Sequence, residues 1–215
     1  MCVSGCSGNG DRDDSTNLRV INTITNIGGI DLTVDYDVYL EDLQYLENTG
    51  YMDFDTNPHI FQISPSNSLS PIDITRVSLA DDIDYSYIAY GSVSNADAML
   101  LQDDNEPAGD DAFKLRIINV AQTTRSFNVY VGVDRSQLTT ANPLARNLRY
   151  KAVTPYFGGP GGTYDIIVTD SKTKAIVTIL PSQELKGENV YSLLLVREAQ
   201  QAAGIRQILL ADREN

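Results

Sequence analysis

The sequence predicts an all-β chain in which two antiparallel β-sandwiches follow one another. Three observations predict this fold class. Short motifs occur twice in the same order, apolar residues come in short runs between turn residues, and no stretch supports a long helix. A chain of 215 residues can hold two such units, each large enough to bury its own core.

The internal repeat starts with Leu-Arg-Val-Ile-Asn at residues 18–22, which returns as Leu-Arg-Ile-Ile-Asn at residues 115–119. The alternating run at residues 30–34 returns at residues 127–131. Further matches keep this order: residues 43–45 with 148–150, 49–51 with 154–156, 85–86 with 191–192, and 100–103 with 209–212. A period of roughly 100 residues is that of a small domain, so the pattern indicates one unit written twice, with insertions in its second copy.

The matches divide the chain into four segments. Residues 1–16 are a leader and tether that we predict to be unstructured, because small and charged residues cannot offset the entropy of ordering. Residues 17–103 and 113–215 are the two sandwich repeats, and residues 104–112 are an acidic linker. The short strands, with turn signals about every 8–12 residues, predict immunoglobulin-like or transthyretin-like sandwiches.

Period-2 alternation locates a half-buried strand at residues 30–34. Residues 38–46 allow a short helix or a strand, and we favour the strand because the matching residues 147–153 resemble a strand that enters a turn. Other strands are predicted at residues 18–24, 51–54, 60–63, 72–77, 85–90, 98–101, 163–168, 175–180 and 190–196.

The glycine-rich run at residues 158–162 is predicted as a tight turn that needs glycine at positive φ. It is not a phosphate loop, because no lysine follows it and it opens a strand instead of a helix. The extra length of the second copy falls near residues 134–146 and 198–204, and residues 200–203 allow at most one helical turn.

The formal net charge of −13 argues against nucleic acid as a partner, since phosphates require neutralisation by Lys and Arg. It argues equally against electrostatic binding to anionic lipid. Solubility explains an acidic surface, and affinity for a hard cation is the alternative explanation.

The two cysteines, Cys2 and Cys6, lie in the leader, so neither sandwich needs an internal disulfide or can form a cysteine-based zinc site. Residues 3–6 resemble a bacterial lipobox, in which Cys6 carries the lipid and the following small residues form a tether. Only two residues precede this box, where the pattern needs basic and apolar regions, so a chance match is the alternative. A lipid would be the only membrane attachment, because no later segment has the ~20 apolar residues of a transmembrane helix.

Catalytic signals are weak. His59 is the only histidine, and its position in a strand-entry turn predicts a surface or rim side chain. A Ser-His-Asp site and a multi-histidine metal site are therefore disfavoured. Loop carboxylates could hydrolyse glycosides as a pair, and the candidates are Asp81, Asp82, Asp84, Asp103, Asp104, Asp110 and Asp111.

Two further hypotheses concern binding. Calcium could be held by Asp103, Asp104, Asp110 and Asp111, although a solvated linker explains the same residues. Exposed aromatic rings could stack on sugars or contact a protein, although core or rim packing is the simpler role. The rings at matching places in both copies are Tyr45, Tyr51, Tyr150, Tyr156 and Phe157.

The whole series of motifs resembles the DUF4397 domain, a family of unknown function found in secreted and cell-envelope proteins of bacteria, often in tandem. In the second copy the pattern falls on residues 115–119, 127–131, 162–164, 191–192 and 209–212. The first copy has Pro58-His59-Ile60 where the pattern has Gly-Thr-Tyr. The family brings no catalytic residues.

These observations lead to a functional hypothesis. We expect a non-enzymatic lipoprotein of the bacterial cell envelope, on the periplasmic or extracellular side, that needs no cofactor. It would act in adhesion, assembly or polysaccharide contact, with an envelope protein or a polysaccharide as partner. A glycan hydrolase that uses loop carboxylates is the alternative, and docking on a second copy of the chain is a third possibility.

Overall fold

The computed structural model describes residues 15–66, 68–199 and 204–213. These residues form β-strands, connecting loops and one short 3-10 helix, Arg135–Gln137. The leader with Cys2 and Cys6, and the possible helical turn at residues 200–203, lie outside the described residues. No helix in the described part of the chain is both long and apolar enough to cross a membrane.

The N-terminal half contains eight strands in two sheets. The inner sheet has the order β4-β1-β7-β8 and the outer sheet the order β3-β2-β5-β6. The strands are β1 (Ser15–Thr25), β2 (Gly29–Val34), β3 (Asp37–Gln44), β4 (Asn48–Asp55), β5 (His59–Pro65), β6 (Asp73–Val77), β7 (Asp84–Ser92) and β8 (Asn95–Asp103).

The C-terminal half contains nine strands, again in two sheets. The inner sheet has the order β12-β9-β16-β17, with β13 also paired to β9, and the outer sheet has the order β11-β10-β14-β15. The strands are β9 (Ala112–Asn119), β10 (Phe127–Val131), β11 (Ala145–Leu148), β12 (Ala152–Val153), β13 (Phe157–Pro160), β14 (Gly162–Asp170), β15 (Ile176–Leu185), β16 (Val190–Arg197) and β17 (Ile205–Arg213).

In each half the inner and outer sheets close over an apolar core. Leu32 and Phe61 of the outer sheet meet Leu18 and Tyr87 of the inner sheet, and all four side chains are buried. The second core repeats this arrangement, with Phe127, Ile166, Leu115 and Leu193 among its buried members. The predicted all-β sandwich fold is confirmed, since alternate residues of facing sheets form each core.

A third apolar layer lies between the two inner sheets. Ile21 and Ile88 of the N-terminal half pack with Ile118 and Leu194 of the C-terminal half, and all four are buried. The four sheets therefore stack in the order outer, inner, inner, outer. Strands covered on both faces are buried at nearly every position, and residues 18–24 and 190–196 are buried without interruption.

The sequence led us to expect antiparallel sheets, but two strand pairs are parallel. β1 runs parallel to β7, and β9 runs parallel to β16, while the other pairs are antiparallel. A tight hairpin can only join antiparallel strands. The two strands of each parallel pair are instead separated in the chain by several strands, most of them in the outer sheet.

The repeated motifs make the same contacts in both halves. The side-chain amide of Asn22 donates to the carbonyl of Leu43 at 2.8 Å, and that of Asn119 donates to the carbonyl of Leu148 at 3.1 Å. Asn22 and Asn119, which are 97 residues apart, therefore occupy equivalent places in the two halves. The same holds for Leu43 and Leu148, which are 105 residues apart.

The glycine-rich run differs from its prediction. Phe157–Pro160 is a strand paired with β9, and none of the glycines at residues 158–162 has a positive φ. Close packing is the reason for the small residues. A Cβ on Gly159 would lie 2.7 Å from Cζ of the buried Phe113 ring, and one on Gly161 would lie 2.8 Å from the backbone nitrogen of Gly187.

Candidate functional site

The arginine of each repeated motif is buried between the two inner sheets. Nη2 of Arg19, on β1, lies 2.7 Å from Oδ1 of Asp212, on β17 of the other half. Nη2 of Arg116, on β9, contacts Oδ1 of Asp103, on β8. All four side chains are at most 3% exposed. Each half therefore supplies an arginine to the other half's carboxylate.

The serine of each Tyr-Ser motif completes these pairs. The hydroxyl of Ser86 donates to Oδ2 of Asp103, and that of Ser192 donates to Oδ2 of Asp212, both at 2.6 Å. Each hydroxyl also accepts a hydrogen bond, from Nη2 of Arg19 at 2.8 Å or from Nε of Arg116 at 2.7 Å. Both serines are fully buried.

A tyrosine closes the outer side of each pair. The ring of Tyr51 lies 4.7 Å from Cζ of Arg19, and its hydroxyl donates to Asp103. The ring of Tyr156 lies 5.2 Å from Cζ of Arg116, and its hydroxyl is 3.5 Å from Oδ2 of Asp212. Burial raises the pKa of both phenols, with Asp103 adding to the shift at Tyr51, so both remain protonated donors.

These eight residues, Arg19, Arg116, Asp103, Asp212, Ser86, Ser192, Tyr51 and Tyr156, are called the interface cluster below. Burial opposes the charge on Arg19, but the carboxylates of Asp212 and Asp103 and the Tyr51 hydroxyl outweigh it and raise the pKa of Arg19. Two guanidinium groups face two carboxyl groups, and each has hydrogen-bonded partners. Burial raises the pKa of Asp212, although Arg19 and Arg116 oppose that shift. The cluster joins the two sandwiches.

The remaining aromatic candidates also lie at the junction or in the core. The hydroxyl of Tyr45 donates to the carbonyl of Arg197 in the other half. Tyr150 packs edge-on against Tyr90 at 5.9 Å. Burial raises the pKa of both Tyr45 and Tyr150 to about 12. Phe157 is half-buried against the second core. These five rings, including Tyr51 and Tyr156, thus have structural contacts of their own.

The calcium candidates are spread over different environments. Asp103 belongs to the interface cluster, and Asp104 lies 2.6 Å from Nζ of Lys114. Asp110 and Asp111 line an open cavity beside Gly161. Across residues 15–66, 68–199 and 204–213, no three His, Cys, Asp or Glu side chains are grouped to hold a metal ion.

His59 is buried, and the predicted surface or rim position is wrong. Its Nδ1 lies 2.6 Å from Asp35 and its Nε2 lies 2.8 Å from Asp55, while the ring packs edge-on against Phe54 at 5.0 Å. Both ring nitrogens face carboxylates, so the imidazole is not placed to activate a hydroxyl. Burial opposes protonation, but the hydrogen bonds and charges of the two carboxylates outweigh it and raise the pKa of His59.

Sequence reasoning did not identify the interface cluster as a unit, although it singled out both tyrosines and one aspartate. The missing members were Arg19, Arg116, Asp212, Ser86 and Ser192. The available signal was an arginine inside a mostly apolar strand at the same place in both copies. Such a residue can be buried only if a partner neutralises its charge.

Comparison with known families identifies the family of the chain. Residues 16–130, more than half of the chain, match the domain of unknown function DUF4397. The chain belongs to the DUF4397 family. The matched region of this DUF4397 protein contains the whole N-terminal sandwich, the linker and the first two strands of the C-terminal half.

No curated protein matches this DUF4397 chain. Among solved structures, a family 26 carbohydrate-binding module from Eubacterium rectale, crystallised with maltoheptaose, is similar at 10% identity and a TM-score of 0.30, covering 91% of this chain and 96% of that one. A candidate cell adhesion protein from Bacteroides fragilis has 8% identity and a TM-score of 0.23, covering 94% and 98%. A candidate adhesin from Bacteroides ovatus has 10% identity and a TM-score of 0.22, covering 90% and 95%. Likenesses this distant carry no information on function.

Removal of one charged partner from the interface cluster should destabilise the folded protein. We expect Arg19→Met and Asp212→Leu each to lower the free energy of unfolding by about 3–5 kcal/mol, because a buried charge loses its counter-charge. The double variant should lose much less than the sum, as chemical denaturation can measure. Lys151→Met, at the half-exposed pair with Asp97, is the control and should cost at most about 1 kcal/mol. Additive losses in the double variant would contradict the pairing.

Stability should depend on pH through His59. Its pKa is raised above 6.5, so its stabilising contribution is complete below pH 6.5 and is lost as pH rises through the higher folded value. The pKa values of Asp35 and Asp55 are lowered below 3.8, so their contribution is present above pH 3.8 and is lost as pH falls. The unfolding free energy of His59→Gln should therefore fall less steeply above pH 6.5 than that of the native protein. An NMR titration of the only imidazole that gave a pKa below 6.5 would contradict this expectation.

Proposed function

We propose that this DUF4397 protein is a non-enzymatic module of the bacterial cell envelope, anchored by a lipid on Cys6, that acts by binding or by structural support. The interface cluster is the observation that carries the proposal. It joins two sandwiches into one unit and engages Asp103, one of the candidate carboxylates, in an ion pair.

Two buried hydroxyls and several of the candidate carboxylates, among them Asp84, Asp103 and Asp104, are engaged in structural contacts. Ser86 and Ser192 are buried between an arginine and a carboxylate. Asp84, a glycosidase candidate, accepts hydrogen bonds from Asn17 at 2.8 Å and from Asn105 at 2.6 Å. A retaining or inverting glycosidase needs two carboxyl groups free to act on opposite sides of one bond, and this arrangement favours a structural role instead.

The geometry of the chain ends supports an anchored orientation. Asn17, near the start of β1, contacts Asp84, and Nη1 of Arg213, at the end of β17, lies 3.3 Å from the carbonyl of Asn105 in the linker. The first and last described strands thus meet at one end of the molecule. A tether that precedes β1 would hold this end towards the membrane and leave the opposite end facing outward.

We also propose that both halves are DUF4397 repeats, residues 17–103 and 113–215, joined by the linker at residues 104–112. The shared contacts of Asn22 and Asn119, and the reciprocal pairing of the two arginines, support this division. The outward end would contact a polysaccharide or an envelope protein.

Incubation with a panel of neutral and acidic oligosaccharides tests the absence of catalysis. We expect binding of at least one glycan by calorimetry and no release of new reducing ends, because Asp84, Asp103 and Asp104 are held by structural partners. An unrelated glycoside hydrolase run in parallel confirms that the assay detects turnover. Release of reducing ends that is lost in Asp84→Asn would establish the hydrolase instead.

Expression of the natural gene in a bacterial host with a palmitate analogue tests the anchor. The native protein and Cys2→Ser should incorporate the label and fractionate with membranes, whereas Cys6→Ser should do neither. Cys2→Ser is the matched control because both cysteines lie in the same leader. Equal labelling of Cys6→Ser, or no labelling of the native protein, would remove the lipoprotein proposal.

A further inference from the structure

One end of the C-terminal sandwich carries an excess of cations, although the chain as a whole is acidic and two of these cations, Arg125 and Lys151, pair with Asp170 and Asp97. Residues 121–126, 145–151 and 171–174 contain six Lys or Arg residues and no Asp or Glu, in a chain of net charge −13. The first segment follows β9, the second comprises β11 and the turn after it, and the third follows β14. A local excess of cations against such a background requires an explanation beyond solubility.

The first copy lacks these cations. Its corresponding residues 24–29 and 40–46 contain no Lys or Arg and include Glu41 and Asp42. The shared contact of Asn22 with Leu43 and of Asn119 with Leu148 places Gln44 where the second copy has Arg149. The fold therefore does not need a cation at this place, and the basic end is a property of the second copy alone.

The basic segments surround a cavity of about 340 Å³, a size that suits one or two sugar units. Its walls are residues 123–126, Asn147, Arg149, Tyr150 and Lys172. The side chains of Arg149 and Lys172 are exposed, while Tyr150 is half-buried. Hydroxyl groups, an amide, an aromatic edge and cations thus meet in one concave surface.

One cation of the cavity is already neutralised. Nε of Arg125 lies 2.9 Å from Oδ2 of Asp170. Backbone hydrogen bonds from Thr173 and Lys172, together with Arg125, hold the pKa of Asp170 well below its usual range, so this pair stays ionised. Arg149 and Lys172 are the cations that remain to meet an incoming anion.

We propose that this cavity binds a carboxylated sugar at the end or on a branch of an acidic polysaccharide. An arginine fork and a lysine suit a carboxylate, while the Thr, Ser and Asn side chains suit sugar hydroxyls. A short segment is favoured over a nucleic acid, because a long polyanion would also meet the acidic remainder of the surface. The inference rests on the proposed function, since it names the ligand class of the outward end.

The test uses oligogalacturonate as the probe and its methyl ester as the neutral counterpart, with the full chain and calorimetric detection. We expect oligogalacturonate to bind and the ester to bind at least about tenfold more weakly. Arg149→Gln, which introduces the residue of the first copy, and Lys172→Gln should each weaken binding by about tenfold. Arg76→Gln, at an exposed cation on β6 of the outer N-terminal sheet, should leave the affinity unchanged.

Other outcomes overturn the inference. Equal weakening by Arg76→Gln would show general electrostatics instead of a site, and tighter binding of single-stranded DNA would assign the cavity to nucleic acid. Failure of oligogalacturonate, oligoglucuronate and oligosialate to shift the amide NMR signals of residues 123–126 would also remove it. Release of reducing ends contradicts the proposed function instead, so the two failures are distinguishable.

Discussion

The structure depends on an exchange of ion pairs between its two halves. Arg19 of the first sandwich pairs with Asp212 of the second, and Arg116 of the second pairs with Asp103 of the first. The aspartate of its own half lies farther from each arginine, at 3.8 Å for Arg19 and 3.9 Å for Arg116. Burial of two unpaired guanidinium groups, each at most 3% exposed, would carry a large unfavourable free energy. The reciprocal pairing with carboxylates offsets that free energy.

Such a cluster contributes specificity more than stability. Replacement of a buried ion pair by apolar residues of similar volume is often neutral or stabilising, because desolvation offsets much of the attraction. The apolar layer of Ile21, Ile88, Ile118 and Leu194 drives the association of the inner sheets. Apolar contacts are non-directional, whereas the hydrogen bonds of Arg19 and Arg116 are directional and are made at defined atoms of Asp212 and Asp103.

The sequence predicted the elements that depend on local pattern. The alternation of apolar and polar residues predicted β2, and the repeat favoured a strand over a helix at residues 38–46, most of which lie in β3. The sequence-based predictions were wrong where long-range packing determines the structure. Residue 159 is glycine because the Phe113 ring approaches it closely. His59 is buried where Asp35, in the turn after β2, and Asp55, at the end of β4, meet its two ring nitrogens. The parallel pairing of β1 with β7 likewise follows from the path of the chain between sheets, which no short window contains.

The linker changes how the interface responds to dilution. β8 ends at Asp103 and β9 begins at Ala112, so a short covalent connection spans the two halves. The reciprocal contacts have the form of an isologous interface, in which two separate copies would meet as a dimer and dissociate at low concentration. A covalent connection of this length holds the partners at an effective concentration on the order of millimolar. The contact between the two halves is therefore unimolecular and does not weaken when the protein is diluted.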